Sequence, residues 1–397
     1  MLDQIEGSQA IARVVEACRP QVVCAYPITP QTHIVEALGA RSKSGELPGC
    51  RFMNVESEFA AMSVAIGASA AGARAYTATA SQGLLYMTEA VYNAAGLGLP
   101  IVMTVANRAV GAPINIWNDH SDSMALRDAG WIQLFATDNQ EAVDMHPQAF
   151  RLAEQLSIPV MVCVDGFVLS HAVDRIDVPD QEQVDSFLPP FEPRQMLDPD
   201  APLTIGAMVG PEAFTEVRYL AHAAMGRVRD TMPAVTEEFG RVTGRTRSPF
   251  LTAYRTEDAE TLVVSSGSVG GTLCDVVDEM RSDGYRIGSV SVTMFRPFPV
   301  DALRRQLSGA SRVVTVDRAV AAGGSGYLYA DVRSAVGAES RATDVIAGLG
   351  GRPVTHRSLR DHLVAAARDE VGELTFMDLR IGAGEAVGGF GDGKSRR

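Results

Sequence analysis

The chain has 397 residues, 46% hydrophobic and 21% charged, with a formal net charge of −13. That length suits two or three domains, and the composition is that of an ordinary globular protein, which excludes a disordered chain. The acidic balance argues against nucleic acid or an anionic membrane as partner, since both want clustered Lys and Arg.

In chain order, the first half alternates short apolar runs with alanine-rich helical patterns. Candidate strands are Val22–Tyr26, Phe52–Val55, Ala75–Thr79, Ile101–Ala106 and Val160–Asp165. Candidate helices are Gly7–Cys18, Thr32–Ala40, Ser57–Ala71, Gln82–Ala95 and Glu141–Leu156. Strands separated by helix-length crossovers imply a mostly parallel sheet covered on both faces, with ligands bound where strands end. Residues 181–255 change texture: Pro and acidic residues dominate (DVPDQEQVD, LPPFEPRQMLDPDAP), followed by a helical stretch, Glu212–Phe239, and the turn-like RVTGRTRSP. We read this segment as a connector packed on the first domain. A second alternation follows, with strands Thr261–Ser265, Ile287–Thr293 and Arg312–Val316 and helices Gly270–Ser282, Val300–Leu307 and Gly326–Val336. The expected organisation is a three-layer α/β domain at 1–180, the connector at 181–255, a smaller α/β domain at 256–375 and a glycine-rich tail at 376–397.

Cys18, Cys24, Cys50, Cys163 and Cys274 form no C-x-x-C, so an iron–sulfur or zinc site carried by this chain alone is not expected. Several sit in apolar runs and read as buried reduced thiols, which suits a reducing cytoplasm. The N-terminus has no signal-type apolar core. No apolar run reaches the roughly 18 residues a membrane span needs.

Four segments could carry chemistry. Tyr26-Pro27-Ile28-Thr29-Pro30 is a rigid turn that projects Thr29, although spacing alone favours a plain strand-to-helix turn with Thr29 as an N-terminal cap. In Asn54-Val55-Glu56-Ser57-Glu58, Ser57 is a plausible cap and Glu58 falls in the first helical turn, where any carboxylate is favoured. The helix it opens carries no charge before Arg74, so we expect it to be buried all round, and a carboxylate heading such a helix needs a partner or a proton. Thr77-Ala78-Thr79-Ala80-Ser81-Gln82-Gly83 can line a polar pocket or cap the next helix. Asn107-Arg108 ends a strand, where an arginine is either a surface charge or a two-pronged carboxylate clamp. The nearby Asp119, His120 and Asp122 raise a metal site, which we rank below a hydrogen-bonded loop because all three come from one short segment.

Taken together, YPITPQT, ESEFAAM, TASQGLL, NR, NDHSDSM and VDGFVLSH resemble the N-terminal part of 2-oxoacid:ferredoxin oxidoreductases, in the separate alpha-chain form. GPEAFTEVRYLAHAAM, EEFGRVTGR, SGSVGGT and FRPFP extend the resemblance to about residue 370. It implies a pyrimidine-binding thiamine diphosphate domain followed by a transketolase-C-terminal-like domain. Glu58 would be the carboxylate that activates the cofactor through its aminopyrimidine, with Pro27, Ile28, Ser81 and Gln82 as further cofactor contacts. Thr29, Asn107 and Arg108 would meet the substrate, with Arg108 on its carboxylate.

The resemblance also implies partners. A beta subunit would hold the diphosphate and Mg²⁺, since the tail's Gly391-Asp392-Gly393 lacks the following Asn of such a site. Gamma- and delta-type subunits would carry iron–sulfur clusters, electrons would pass to ferredoxin, and coenzyme A would take the acyl group. Pyruvate is the expected 2-oxoacid. Alternatives are 2-oxoisovalerate, 2-oxoglutarate or an aryl-glyoxylate, NAD as final acceptor, and a non-catalytic assembly subunit. SGSVGGT and GGSGY invite a nucleotide-binding reading, but neither has Rossmann or P-loop spacing.

Overall fold

The structure is a computed structural model that describes residues 2–381, so residues 382–397 of the expected tail lie outside the described residues. Fifteen strands are described: β1 (Leu2–Glu6), β2 (Val22–Ala25), β3 (Arg51–Asn54), β4 (Ala75–Thr79), β5 (Val102–Asn107), β6 (Ile132–Phe135), β7 (Val160–Asp165), β8 (Val173–Asp177), β9 (Leu251–Tyr254), β10 (Thr261–Ser265), β11 (Ile287–Val292), β12 (Met294–Arg296), β13 (Arg312–Asp317), β14 (Arg341–Ile346) and β15 (Leu374–Phe376).

Seven of them form the first sheet, in the order β12-β6-β7-β5-β4-β2-β3. All neighbours in it are parallel except β12, which runs antiparallel to β6. A second sheet, β15-β14-β13-β10-β11-β9, is parallel except for its β9 edge. The remaining pair, β1 and β8, makes a small antiparallel ribbon. Helices cover the faces of both large sheets, giving the three-layer α/β architecture expected of alternating strands and crossovers.

The central strands β4, β5 and β7 are buried along their whole length, which is why they read as unbroken apolar runs. The helix Asn139–Leu156 starts where Asp138 accepts the Glu141 N–H at 2.7 Å. The 30-residue helix Phe214–Thr243 packs only its second half, burying Val228, Met232, Val235 and Phe239, and ends at a left-handed Gly244. Each such buried side chain contributes roughly 1.5–3 kcal/mol.

Several local expectations shift. The helix expected at Gln82–Ala95 is two, Ser81–Tyr86 and Thr88–Gly96, broken at Met87. The helix Glu58–Ala70 is not buried all round: Phe59, Ser63 and Gly67, four residues apart, form an exposed stripe. Lack of charge marked that face as unsuited to open water without saying what covers it. Strand β12, from the second half of the chain, completes the edge of the first sheet, and one apolar cluster runs through Met103, Phe135, Val264, Phe295 and Leu303. Strands β6 and β14 escape sequence reading because IQLF is short and RATDVI opens on polar residues.

Candidate functional site

Four adjacent strands, β5, β4, β2 and β3, run parallel and end at one edge of the first sheet. The residues that follow them are Arg108, Ser81, Thr29 and Glu58, so sheet topology alone gathers side chains spread over 80 positions of sequence.

Glu58 opens its helix under the Ser57 cap, whose hydroxyl accepts the Ala60 N–H at 3.1 Å. It is only 7% exposed, and its carboxylate makes no hydrogen bond or ion pair among the described residues. Across from it, the bare backbone of Gly83 lets the Glu58 and Thr79 side chains approach closely. A Cβ there would stand 2.6 Å from Glu58 Oε1, 2.7 Å from Thr79 Oγ1 and 2.8 Å from Glu58 Cγ. The Thr79 hydroxyl is fully buried and has no hydrogen-bond partner. A buried carboxylate and a buried hydroxyl that lie on either side of Gly83 with no hydrogen-bond partner among the described residues are groups suited to meet a ligand's polar atoms. They fit a protonatable ring nitrogen beside Glu58, as the aminopyrimidine expectation requires.

Arg108 is buried and has no ion pair among the described residues. Its Nε donates to the Asn115 carbonyl at 3.0 Å, Nη1 to the Thr29 carbonyl at 2.8 Å and Nη2 to Gln82 Oε1 at 3.3 Å. These partners are neutral and use three of the five N–H groups, which leaves one on each terminal nitrogen. Burial draws the guanidinium below its usual range, and Asp122 opposes that shift. A desolvated cation with no carboxylate in ion-pair contact attracts an anion.

Asp122 holds the strand ends together. Its carboxylate accepts the Ser81 N–H (2.9 Å), the Arg108 N–H (3.0 Å), the Ser123 N–H (2.8 Å) and Asn107 Nδ2 (2.8 Å). Burial pushes its carboxyl above the ordinary range against the pull of those four donors. Ser81 is fully buried with a left-handed backbone (φ 50°), and its hydroxyl donates to the Ala109 carbonyl at 2.6 Å. A non-glycine residue persists in that conformation only where its surroundings hold it.

The structure thus brings Thr29, Glu58, Ser81, Gln82 and Arg108 to one edge. Pro27 is exposed and Ile28 half-buried on the turn beside Thr29; Gln31 secures that turn by donating to the Ala78 carbonyl at 2.5 Å. Asn107 turns inward instead, giving its amide to Asp122 and to Ser123 Oγ at 2.8 Å.

The expected Asp119–Asp122 loop disperses its side chains. Asp119 Oδ2 accepts the Gly350 N–H at 2.9 Å, and His120 Nε2 lies 2.7 Å from Asp165 Oδ1. Asp165 also meets Arg318 Nη1 at 2.8 Å and the Ser268 N–H at 3.0 Å. Burial alone would raise its carboxyl, but Arg318 and His120 outweigh it and hold it far below the carboxylate range. A group with metal-ligand chemistry does occur at Glu6, His33 and His171, half-buried, with ligand atoms within 4.8 Å of one another. His33 Nδ1 is already 2.7 Å from Glu6 Oε1, and its ring stacks 4.4 Å from that of His171.

Sequence reasoning missed Thr79 as a neighbouring hydroxyl, Gly83 as the point of close approach and Asp122 as a hub. The runs TASQG and NDHSDSM marked the segments, but which side chains face one another depends on strand order.

Known proteins place the chain. Residues 13–237 match the family described as pyruvate flavodoxin/ferredoxin oxidoreductase, thiamine diphosphate-binding, and residues 259–359 match the pyruvate:ferredoxin oxidoreductase core domain II. Pyruvate synthase subunit PorA of Methanosarcina barkeri is 45% identical, covering 95% of this chain and 96% of its own length. Ketoisovalerate oxidoreductase subunit VorA of Pyrococcus horikoshii is 39% identical over 90% of this chain and 91% of its own length. Among solved structures, a 2-oxoglutarate:ferredoxin oxidoreductase from Magnetococcus marinus, with 2-oxoglutarate, coenzyme A and succinyl-CoA bound, superposes with a TM-score of 0.69 at 18% identity. That match covers 92% of this chain and 65% of the other, and it speaks to fold. A split-gene transketolase gives a TM-score of 0.55 at 15% identity, covering 93% of this chain and 100% of that one. With the family profile spanning more than half of the sequence and relatives above 40% identity along nearly all of it, the chain belongs to the pyruvate flavodoxin/ferredoxin oxidoreductase family of thiamine diphosphate-binding proteins.

Proposed function

We propose that this chain is the subunit of a 2-oxoacid:ferredoxin oxidoreductase that holds the aminopyrimidine of thiamine diphosphate, with Glu58 as the activating carboxylate and pyruvate as substrate. The observation that carries the reading is Glu58: buried, without a hydrogen-bond partner among the described residues, and packed with the unpartnered Thr79 hydroxyl against the bare backbone of Gly83. Thiamine diphosphate, when bound, supplies the nucleophilic carbon and the electron sink for decarboxylation. Glu58 would share a proton with the pyrimidine N1′, a charge-assisted hydrogen bond strengthened by exclusion of water. Arg108 would grip the substrate carboxylate with its two remaining terminal N–H groups, and Thr29 stands on the turn beside it. Asn107 acts from behind, through Asp122.

Pyruvate is favoured because the pyruvate synthase subunits of Methanosarcina barkeri and Methanothermobacter thermautotrophicus are 45% and 42% identical, against 39% for the ketoisovalerate relative. The unpaired charges at Glu58 and Arg108 disfavour a purely structural subunit. A beta-type partner holding the diphosphate and Mg²⁺ would cover the surface around the site, where Tyr26, Phe59, Tyr86 and Trp117 stand exposed. Gamma- and delta-type subunits with iron–sulfur clusters would carry electrons to ferredoxin, in keeping with a chain that has no C-x-x-C. Coenzyme A would accept the acyl group. No helix among the described residues is long and apolar enough to cross a membrane.

The test is Glu58→Gln in the co-expressed complex. The variant should assemble and bind thiamine diphosphate, yet lose exchange of the cofactor's C2 proton with solvent. Near-normal exchange would sink the assignment.

A further inference from the structure

Arg108 is held by more than its own strand. Its Nε donates to the carbonyl of Asn115, at the far side of the loop that follows β5. The Asn115 side chain in turn spans to the second half of the chain: its Nδ2 donates to the Gly350 carbonyl at 3.1 Å. Its Oδ1 meanwhile accepts the Trp117 N–H at 2.7 Å, fixing the local turn. Gly350 is gripped from both sides, because its own N–H donates to Asp119 Oδ2 at 2.9 Å.

The partner segment is Gly348-Leu349-Gly350-Gly351, the turn that follows β14 in the second sheet. Gly348, Gly350 and Gly351 have φ of +71°, +59° and +78°, a backbone that favours glycine. Space demands it too. A Cβ on Gly350 would lie 2.6 Å from Asn115 Nδ2, and one on Gly351 would lie 2.2 Å from Trp117 Cβ. The turn is therefore seated directly in the Arg108 loop. A second tie runs beside it, where the His120 N–H donates to the Arg318 carbonyl at 3.0 Å.

We infer that Asn115 is a positioning residue, fastening the Arg108 guanidinium to the backbone of the second domain at Gly350, so that this domain sets the affinity for the 2-oxoacid. The inference rests on Arg108 as the carboxylate clamp, the reading proposed above. Asn115 acts through Arg108: its side chain fixes the loop whose carbonyl aims the guanidinium. With the tie to Gly350 removed, the loop keeps its Trp117 turn less firmly, and Arg108 samples orientations in which its fork misses the substrate.

The experiment is a double-mutant cycle in the co-expressed complex: Asn115→Ala, Arg108→Ala and both together, with KM for pyruvate, kcat and the half-saturating concentration of thiamine diphosphate measured for each. Asn115→Ala removes both side-chain hydrogen bonds of Asn115 and should raise KM about tenfold, while half-saturation by the cofactor stays within twofold. In the Arg108→Ala background, the same change should have no further effect on KM. If Asn115→Ala raises KM equally in both backgrounds, it does not act through Arg108 and the inference falls. If Arg108→Ala raises KM but Asn115→Ala leaves it unchanged, the inference falls while the clamp stands. If Arg108→Ala leaves KM unchanged, the clamp itself is wrong and the inference falls with it. Asn115→Ser, which keeps an acceptor near the Trp117 N–H but cannot reach Gly350, should reproduce the Asn115→Ala result. A wild-type KM in that variant would overturn the inference independently of any folding defect in the alanine variant.

Discussion

Replacing Gly83 by alanine would push one methyl group against the Glu58 and Thr79 side chains. The new Cβ would start 2.6 Å from Glu58 Oε1, whereas ordinary contact begins near 3.4 Å, so the carboxylate must retreat by roughly 0.8 Å. Displacements near 1 Å at a reacting group cost on the order of 10²-fold in rate, or about 2.7 kcal/mol of barrier. The fold itself should survive. Overpacking costs about 1–3 kcal/mol, and alanine in place of glycine within a helix returns about 1 kcal/mol. The assay is kcat of the co-expressed complex with pyruvate and a ferredoxin-type acceptor, alongside the dissociation constant of thiamine diphosphate and the far-UV circular dichroism. We expect kcat to fall roughly 10²-fold with unchanged secondary structure. A Gly83→Ala complex turning over within twofold of wild type would show that the close approach at Gly83 does not set the position of the Glu58 carboxylate, and the reasoning would be refuted.

Other predictions follow from the same geometry. Asp165→Ala leaves Arg318 buried without its carboxylate and should cost about 3–5 kcal/mol in urea unfolding; a change below about 1 kcal/mol would mean the interdomain knot is weak. Asp317 is buried beside Asp344 at the head of the helix Tyr327–Val332, and burial pushes its carboxyl from 3.8 to about 7. The unfolded chain therefore ionises first as pH rises, and this group's share of stability, complete below about pH 4, is lost by about pH 7. Asp317→Asn should narrow that pH dependence by at most about 4 kcal/mol, and identical pH profiles for variant and wild type would contradict it. Gly226, inside the helix Phe214–Thr243, has nothing within 4 Å of a built Cβ, so Gly226→Ala should stabilise by about 0.5–1 kcal/mol. A lowered unfolding midpoint would show that this face of the helix is covered in the native complex.

Much of the site was legible before any fold was known. Proline and threonine at 27–30, an acid behind a Ser cap at 57–58, hydroxyl and amide residues at 79–82 and an arginine at 108 each follow a recognisable apolar run. Chain order alone supplied a list of strand ends, because parallel crossovers return every strand to the same edge. Their recognition as one family pattern came from motif content and not from periodicity. The inward turn of Asn107 was illegible, since a strand-end amide can face solvent, ligand or core with the same local sequence. The exposed stripe Phe59, Ser63 and Gly67 was misjudged for a related reason: absence of charge along a helix does not say which of its faces the rest of the chain buries.

Local sequence determined where helices and strands begin, because capping and periodicity act over a few residues. It also determined that Glu58 would head a helix free of charge. Only the tertiary structure decided what the charged groups face. Asp122 is a hub because the ends of β4 and β5 are neighbours. Asp165 is ion-paired because Ser268 and Arg318, 103 and 153 residues away, are folded onto it. Arg108 is aimed by a glycine turn more than 230 residues downstream, through Asn115. Hydrogen bonds and ion pairs act over a few ångströms of space, and no pattern along the chain encodes which distant segments will come within that range.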